Sequence, residues 1–157
     1  MERVVATKVQ AKPAELYEAD FYVWALAQAD LLRARRFDAL DLENLIEEVE
    51  GLADTKLAAV LSNAAVVIEH LLELQHSAAT DPRNSWRAGV REHRRRLWIE
   101  STPRLTQILA ERLSELYARA RDDAAAGMRD HGEHAGADAL PATCPYSLEQ
   151  ITGDWWP

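Results

Sequence analysis

With 157 residues, 48% of them hydrophobic and 28% charged, the chain has the size and make-up of one soluble globular domain with its own core, and disorder is not its default. A formal net charge of -8 and a pI near 5.1 argue against nucleic acid as a partner of the whole surface and leave only a local basic patch for that role. The single cysteine, Cys144, excludes an intrachain disulfide and points to a reducing cytosol, and the opening MERVVATKVQAKPAEL lacks the apolar core of an export signal.

Residues 1–12 carry no period and read as a loose lead-in. Pro13 suits the first turn of a helix, where a missing amide hydrogen costs nothing. Tyr17, Phe21, Trp24 and Leu31 then recur at helical spacing, with Gln28 as the one polar member of the line. A first helix buried through its aromatics is expected, closed by Arg33, Arg35 and Arg36 at the negative end of its dipole.

After the connector Phe37 to Leu40, Asp41 is a good N-cap for the segment around which the rest is organised. From Asp41 to His76, the residues Ile46, Val49, Ala53, Leu57, Val60, Ala64, Val67, Leu71 and Leu74 follow one another at steps of three or four. They make one apolar stripe that only other helices can cover. Unbroken, this spine is about 50 Å long at ~1.5 Å per residue; Gly51 and Asp54 offer a kink or second start. Its most apolar run, Ala64 to Leu74, is interrupted by Glu69 and His70 and falls short of the ~20 residues of a bilayer span.

Asp81-Pro82 marks the turn that ends the spine. Ser85 is the expected cap of a third helix carrying Trp86, Val90, His93 and Leu97, in which Gly89 implies a close approach. Thr102-Pro103 starts a fourth long helix with Leu105, Leu109, Leu116 and Ala120 inside and Gly127 at its end. Met128 to Thr143 reads as a mobile loop. Ser147-Leu148-Glu149-Gln150 has the form of a capping box, and Trp155 and Trp156 read as a plug that holds the C-terminus. The expected fold is a single all-α domain, a bundle of about four long, mainly antiparallel helices with a short C-terminal helical turn.

Three constellations could carry function. Glu43, Glu47, Glu50 and Asp54 are spaced four, three and four, so four carboxylates share one face beside the stripe and need a counter-charge. Arg87, Arg91, Arg94 and Arg95, with Trp98 among them, form a basic face of the kind that grips a single strand of nucleic acid or an acidic partner. The economical reading joins the two faces, within one subunit or across a dimer, in a self-associating interaction module without a cofactor. A nucleic-acid binder or toxin-antitoxin-type regulator using the arginine face is the alternative.

The third constellation is Glu73-Leu74-Gln75-His76, a single copy of the Glu-x-x-His element by which helical bundles hold paired metals. With His70 on the same side and Glu47 assisting, it gives a metal-dependent enzyme as a further alternative, although a structural role for the histidines is the plainer reading. The pair His131 and His134, with Cys144 downstream, is a poor zinc set. Cys144 has no activating neighbour in sequence, and no phosphate loop, Ser-His-Asp order or zinc-protease motif is present.

In order along the chain, the strings LYEADFYVW (16–24), RRFDALDLENLIEEVE (35–50), EHLL (69–72), SWR (85–87), RRR (94–96) and CPYSLEQ (144–150) resemble the hallmarks of the bacterial family called domain of unknown function number 29. The likeness runs from about Leu16 to Trp156 and is weakest over Met128 to Ala142. It implies a small all-helical protein and carries no agreed activity, so it bears on the fold and leaves function open.

Overall fold

Capping decides where the helices of this chain begin. In the computed structural model, which describes residues 13–157, Asp20 leaves the helical region and its carboxylate accepts from the Val23 amide at 3.1 Å. The first helix expected from the aromatic spacing is therefore two, α1 (Pro13–Ala19) and α2 (Phe21–Arg33). Only Trp24 and Gln28 of α2 are buried, while Phe21 is half exposed, so one indole rather than an aromatic row anchors it. Arg35 closes α2 at a φ of 55°, in the left-handed region, with the Arg36 amide reaching back to the Leu31 carbonyl at 2.9 Å. The expected lead-in of residues 1–12 lies outside the described residues.

A 3-10 turn, Phe37–Ala39, leads into α3 (Leu42–His76), 35 residues without a break at Gly51 or Asp54. The Asp41 carboxylate accepts from Trp24 Nε1 at 3.1 Å and from Asn44 Nδ2 at 2.8 Å, and the Asp41 amide donates to Gln28 Oε1 at 2.9 Å. Gln28 is thus buried because it satisfies a backbone donor, which is what a polar member of an apolar line must do. Tyr17 donates to Glu48 at 2.6 Å, and this bond, followed by burial and the carboxylates around it, pushes the phenol up to about 12.

Beyond α3 come α4 (Arg83–Glu100), α5 (Pro103–Glu111), α6 (Leu113–Asp130), α7 (His134–Asp138) and α8 (Leu148–Thr152). No strand occurs among the described residues, so the all-α class holds. Pro82, not Ser85, precedes α4 and gives it no side-chain cap; its fixed φ of -79° is already suited to a helix start. Thr102 does cap α5, accepting from the Leu105 amide at 3.3 Å with Pro103 in the first turn. The fourth helix is divided at Arg112, where one residue leaves the helical region between α5 and α6.

The segment expected to be a mobile loop is ordered. Gly127 lies inside α6, and the chain turns instead at Gly132, whose φ of +80° is the left-handed conformation that a helix stop demands. Glu133 then takes the Ser77 hydroxyl and the Ala78 amide, each at 2.9 Å, while Tyr117 donates to the Pro141 carbonyl at 2.6 Å. Ala137 and Leu140 enter the core beside Met128. The long-range bonds come from side chains far away in sequence, so a local pattern did not reveal them.

Contacts divide the chain into two units, Met1–Asp54 and Thr55–Pro157. In the second unit Val60, Val67, Ile68, Leu71 and Leu72 of α3 are fully buried and share a core with Val90 and Leu97 of α4, Leu109 of α5 and Tyr117 and Ala120 of α6. Asn63 meets His93 and Lys56 meets Glu100, so α3 and α4 run antiparallel; Ser77 meets Glu133 and Glu73 lies beside Gly127, so α3 and α6 run parallel. By length and composition α3 could cross a membrane, with an 18-residue window of mean hydropathy 1.6, half of which is buried inside the fold. Its burial in this core accounts for that apolarity.

The spine departs from expectation in its first half. Leu42, Ile46, Val49 and Leu52 are 56%, 56%, 58% and 67% exposed. The stripe is continuous in sequence, but among the described residues its members are half-buried at Leu57 and buried from Val60 onward.

Candidate functional site

The arginines of α4 follow each other at helical spacing, yet the structure assigns them different work. Arg94 is buried, 7% exposed, with Nε donating to the Ile151 carbonyl at 3.0 Å and Nη2 to the carbonyls of Gln150 and Trp155. Its guanidinium also lies 5.2 Å from the centroid of the Trp156 ring. Burial pulls its pKa below the usual arginine value, with the charge of Asp154 opposing. The C-terminus is therefore held chiefly by Arg94, and the two indoles expected as a plug remain about a third exposed. Ser147 completes the expected capping box with Gln150 and fixes α8, which delivers two of the three carbonyls.

Arg87, Arg91 and Arg95 stay exposed on the same helix. Arg95 and Arg96 both bind Glu92, at 3.0 and 2.9 Å, and these two bonds hold the Glu92 carboxyl down at about 2. Arg87 and Arg91 have no ion-pair partner among the described residues. With Arg83, Trp98, Thr152, Asp154 and Trp156 they line a cleft of about 800 Å³, and Trp98 stands 83% exposed at its edge. Arg83 is committed, donating to the Leu74 carbonyl at 2.8 Å. The free cations of the cleft are thus Arg87 and Arg91, with an indole beside them, a combination that attracts carboxylates or phosphates and can stack a planar group.

The acidic residues Glu43, Glu47, Glu50 and Asp54 are all exposed on the first half of α3. They alternate there with the uncovered Leu42, Ile46, Val49 and Leu52, so this stretch offers both negative charge and apolar area.

The histidines are sorted differently from the Glu-x-x-His reading. His70 Nδ1 lies 2.7 Å from Glu73 Oε2, and Glu69 joins them, one ligand-type atom of each residue falling within 4.8 Å of the others. His76 is not part of that cluster. It follows His70 by six residues, which on a helix turns it to another face; its Nε2 is buried without a partner among the described residues and burial lowers its pKa. Glu69, the residue that sequence reasoning passed over, precedes Glu73 by four, and that spacing was the available signal. Burial, then the charge of Glu73 and of Asp123 on α6, raises the Glu69 pKa against the opposing effect of His70. Gly89 has its explanation here: a Cβ at that position would meet the His70 ring at 2.6 Å. On the same face of α4, His93 Nδ1 meets Asn63 Oδ1 at 2.7 Å, and burial, aided by the charges of Arg96 and His70, lowers its pKa. Burial also raises the Cys144 thiol, the opposite of what activates a nucleophile.

Over residues 16–156 the chain matches the family described as Domain of unknown function DUF29. The chain belongs to this family. No curated protein and no solved structure matches it. Within the DUF29 match lie the cleft on α4, the acidic stretch of α3 and the Glu69-His70-Glu73 cluster alike.

Proposed function

We propose that this DUF29 protein is a helical protein-interaction module that associates with a second copy of itself through its acidic and basic surfaces. The observation that carries this reading is the first half of α3, where four apolar side chains, each more than half exposed, accompany four exposed carboxylates. Apolar side chains recurring along one helix in water favour a partner helix, and the carboxylates give that partner a sign. Arg87 and Arg91, exposed with Trp98 at the cleft of the second unit, supply the matching sign and an aromatic contact. Charge would set orientation and encounter rate, and apolar burial most of the affinity.

Light scattering on the eluting protein tests this at low and high salt. An oligomer is expected, with weaker association as salt rises. Arg87→Glu with Arg91→Glu should give monomers, and mixing that variant with one carrying Glu47→Arg and Glu50→Arg should restore mixed dimers. A monomer at every salt and concentration overturns the proposal.

The exposed Trp98 beside Arg87 and Arg91 favours a second reading, a single strand of nucleic acid along the cleft. The net charge of -8 and the presence of Glu92 and Asp154 at the same surface oppose it. Fluorescence anisotropy with a short single strand at low salt decides it: Trp98→Ala should cost ~1 to 3 kcal/mol of binding if a base stacks there, and absence of binding removes it.

A further inference from the structure

The cluster at the junction of α3, α4 and α6 is used neither by the acidic stretch nor by the basic cleft. We propose that Glu69, His70 and Glu73 form a binding site for a divalent transition-metal ion, reached through the cleft that Glu73 lines. Three observations carry this. The donor atoms are already gathered: one from each residue within 4.8 Å of the others, with His70 Nδ1 aimed at Glu73 Oε2. Donors that share one zinc or manganese ion stand about 3 to 4 Å apart, given metal bonds near ~2.1 Å, so the His70–Glu73 pair at 2.7 Å has to open slightly and any pair near 4.8 Å to close, changes on the scale of side-chain adjustment.

Glu73 is 7% exposed, and while Oε2 faces His70, Oε1 lies beside Gly127 without a hydrogen-bond partner among the described residues. A carboxylate oxygen that no donor occupies keeps its lone pairs for a cation. Glu73 and Gly127 both border a cleft of about 750 Å³ whose wall includes Trp86 and Met128 and whose lining contains no lysine or arginine. That cleft gives an ion and its water ligands a way in. Finally, the imidazole is held: Gly89 leaves the room that the His70 ring occupies, with Nε2 against the α4 backbone and Nδ1 turned inward.

The nearby charge is lopsided. Glu73 and, from α6, Asp123 both bear on Glu69, with His70 as the one opposing group. A divalent ion supplies the missing positive charge, and one imidazole with two carboxylates suits zinc, manganese or ferrous iron better than magnesium. Three ligands from one helix leave the remaining positions to water, which places the open side of the ion toward the cleft.

The test uses the full chain, freed of metal by chelator and titrated with Zn2+, Mn2+ or Mg2+ in separate calorimetric and melting experiments. Zn2+ or Mn2+ is expected to bind one per chain and to raise the melting temperature, with Mg2+ much weaker. Co2+ should give visible d–d bands that change in Glu73→Gln. Both Glu73→Gln and His70→Asn should lower the affinity at least about tenfold, whereas His134→Ala, at an exposed histidine outside the cleft, should bind as before. Should either of the first two fail to fold, Glu69→Gln replaces a carboxylate that burial already disfavours and should fold while binding more weakly. No binding of any ion, or undiminished binding in the foldable variants of the cluster, overturns the proposal.

Discussion

The two halves of α3 have the same rhythm of apolar side chains and opposite fates. Ile46 and Val49 stand open, while Val67 and Leu71, at equivalent places in the same stripe, are fully buried. Periodicity states which residues share a face of a helix; it does not state that anything lies against that face. In the first half the stripe stands exposed, and the same pattern is apolar surface. Where α4 and α6 cover it, the same pattern is a core.

Leu71→Ala against Val49→Ala breaks that comparison most directly. In urea melts Leu71→Ala should cost ~2 to 5 kcal/mol, the transfer loss plus the cavity left behind. At concentrations where the protein is monomeric, Val49→Ala should stay within about 0.5 kcal/mol of the parent. Equal costs would mean that both halves of the stripe are covered. Arg94→Ala comes next. It strips three carbonyls of a charged donor and should cost ~1.5 to 3 kcal/mol; limited proteolysis should then begin after α8, whereas Arg87→Ala on the same helix should leave both stability and cleavage unchanged.

Gly89→Ala sharpens the contrast within the buried half. Alanine favours an isolated helix by ~1 kcal/mol, but its methyl group would fall 2.6 Å from the His70 ring. The net expectation is a loss of ~1 to 2 kcal/mol in the same urea assay, overpacking outweighing propensity. Gly51→Ala, where a Cβ meets nothing within 4 Å, should instead be neutral or stabilising.

Acidification probes the polar groups inside the second unit. His76 and His93 have pKa values lowered from 6.5, chiefly by burial. The folded chain therefore binds fewer protons than the unfolded one just below 6.5, and stability is lost as pH falls through that value toward the lowered ones. Glu69 has the opposite sign. Its carboxyl is raised from 4.5, so between 4.5 and its folded value stability falls as pH rises. Melting temperature against pH should show an acid decline below 6.5 that His93→Gln makes shallower, and Glu69→Gln should raise stability above 4.5. The smallest effect is expected at Arg35, whose φ of 55° strains a side-chain-bearing residue; Arg35→Gly should gain up to about 1 kcal/mol, read as a rise in the urea midpoint.

Much of the fold was legible before any tertiary contact was known. The helical character of α3 followed from its period, the start of α5 from Thr102-Pro103 and the start of α8 from Ser147 with Gln150, because these are interactions among residues close in sequence; that α3 runs unbroken past Gly51 and Asp54 was left open by the sequence and is given by the structure. The candidate cleft was partly legible too: Arg87, Arg91 and Trp98 were singled out by spacing alone. Trp156 and Asp154, which lie in the same cleft, come from more than fifty residues away and gave no local signal.

The sequence by itself determined the helical class, the places where several helices start and which side chains share a face, since each of these rests on backbone geometry and on neighbours within about one turn. Tertiary structure alone decided that Arg94 faces inward to three carbonyls while Arg91 faces water, that Glu69 rather than His76 stands with His70 and Glu73, and that Glu133 turns an expected loop into ordered chain. Each of these outcomes is a contest between desolvation and a partner far along the chain, and no local spacing records whether the partner arrives.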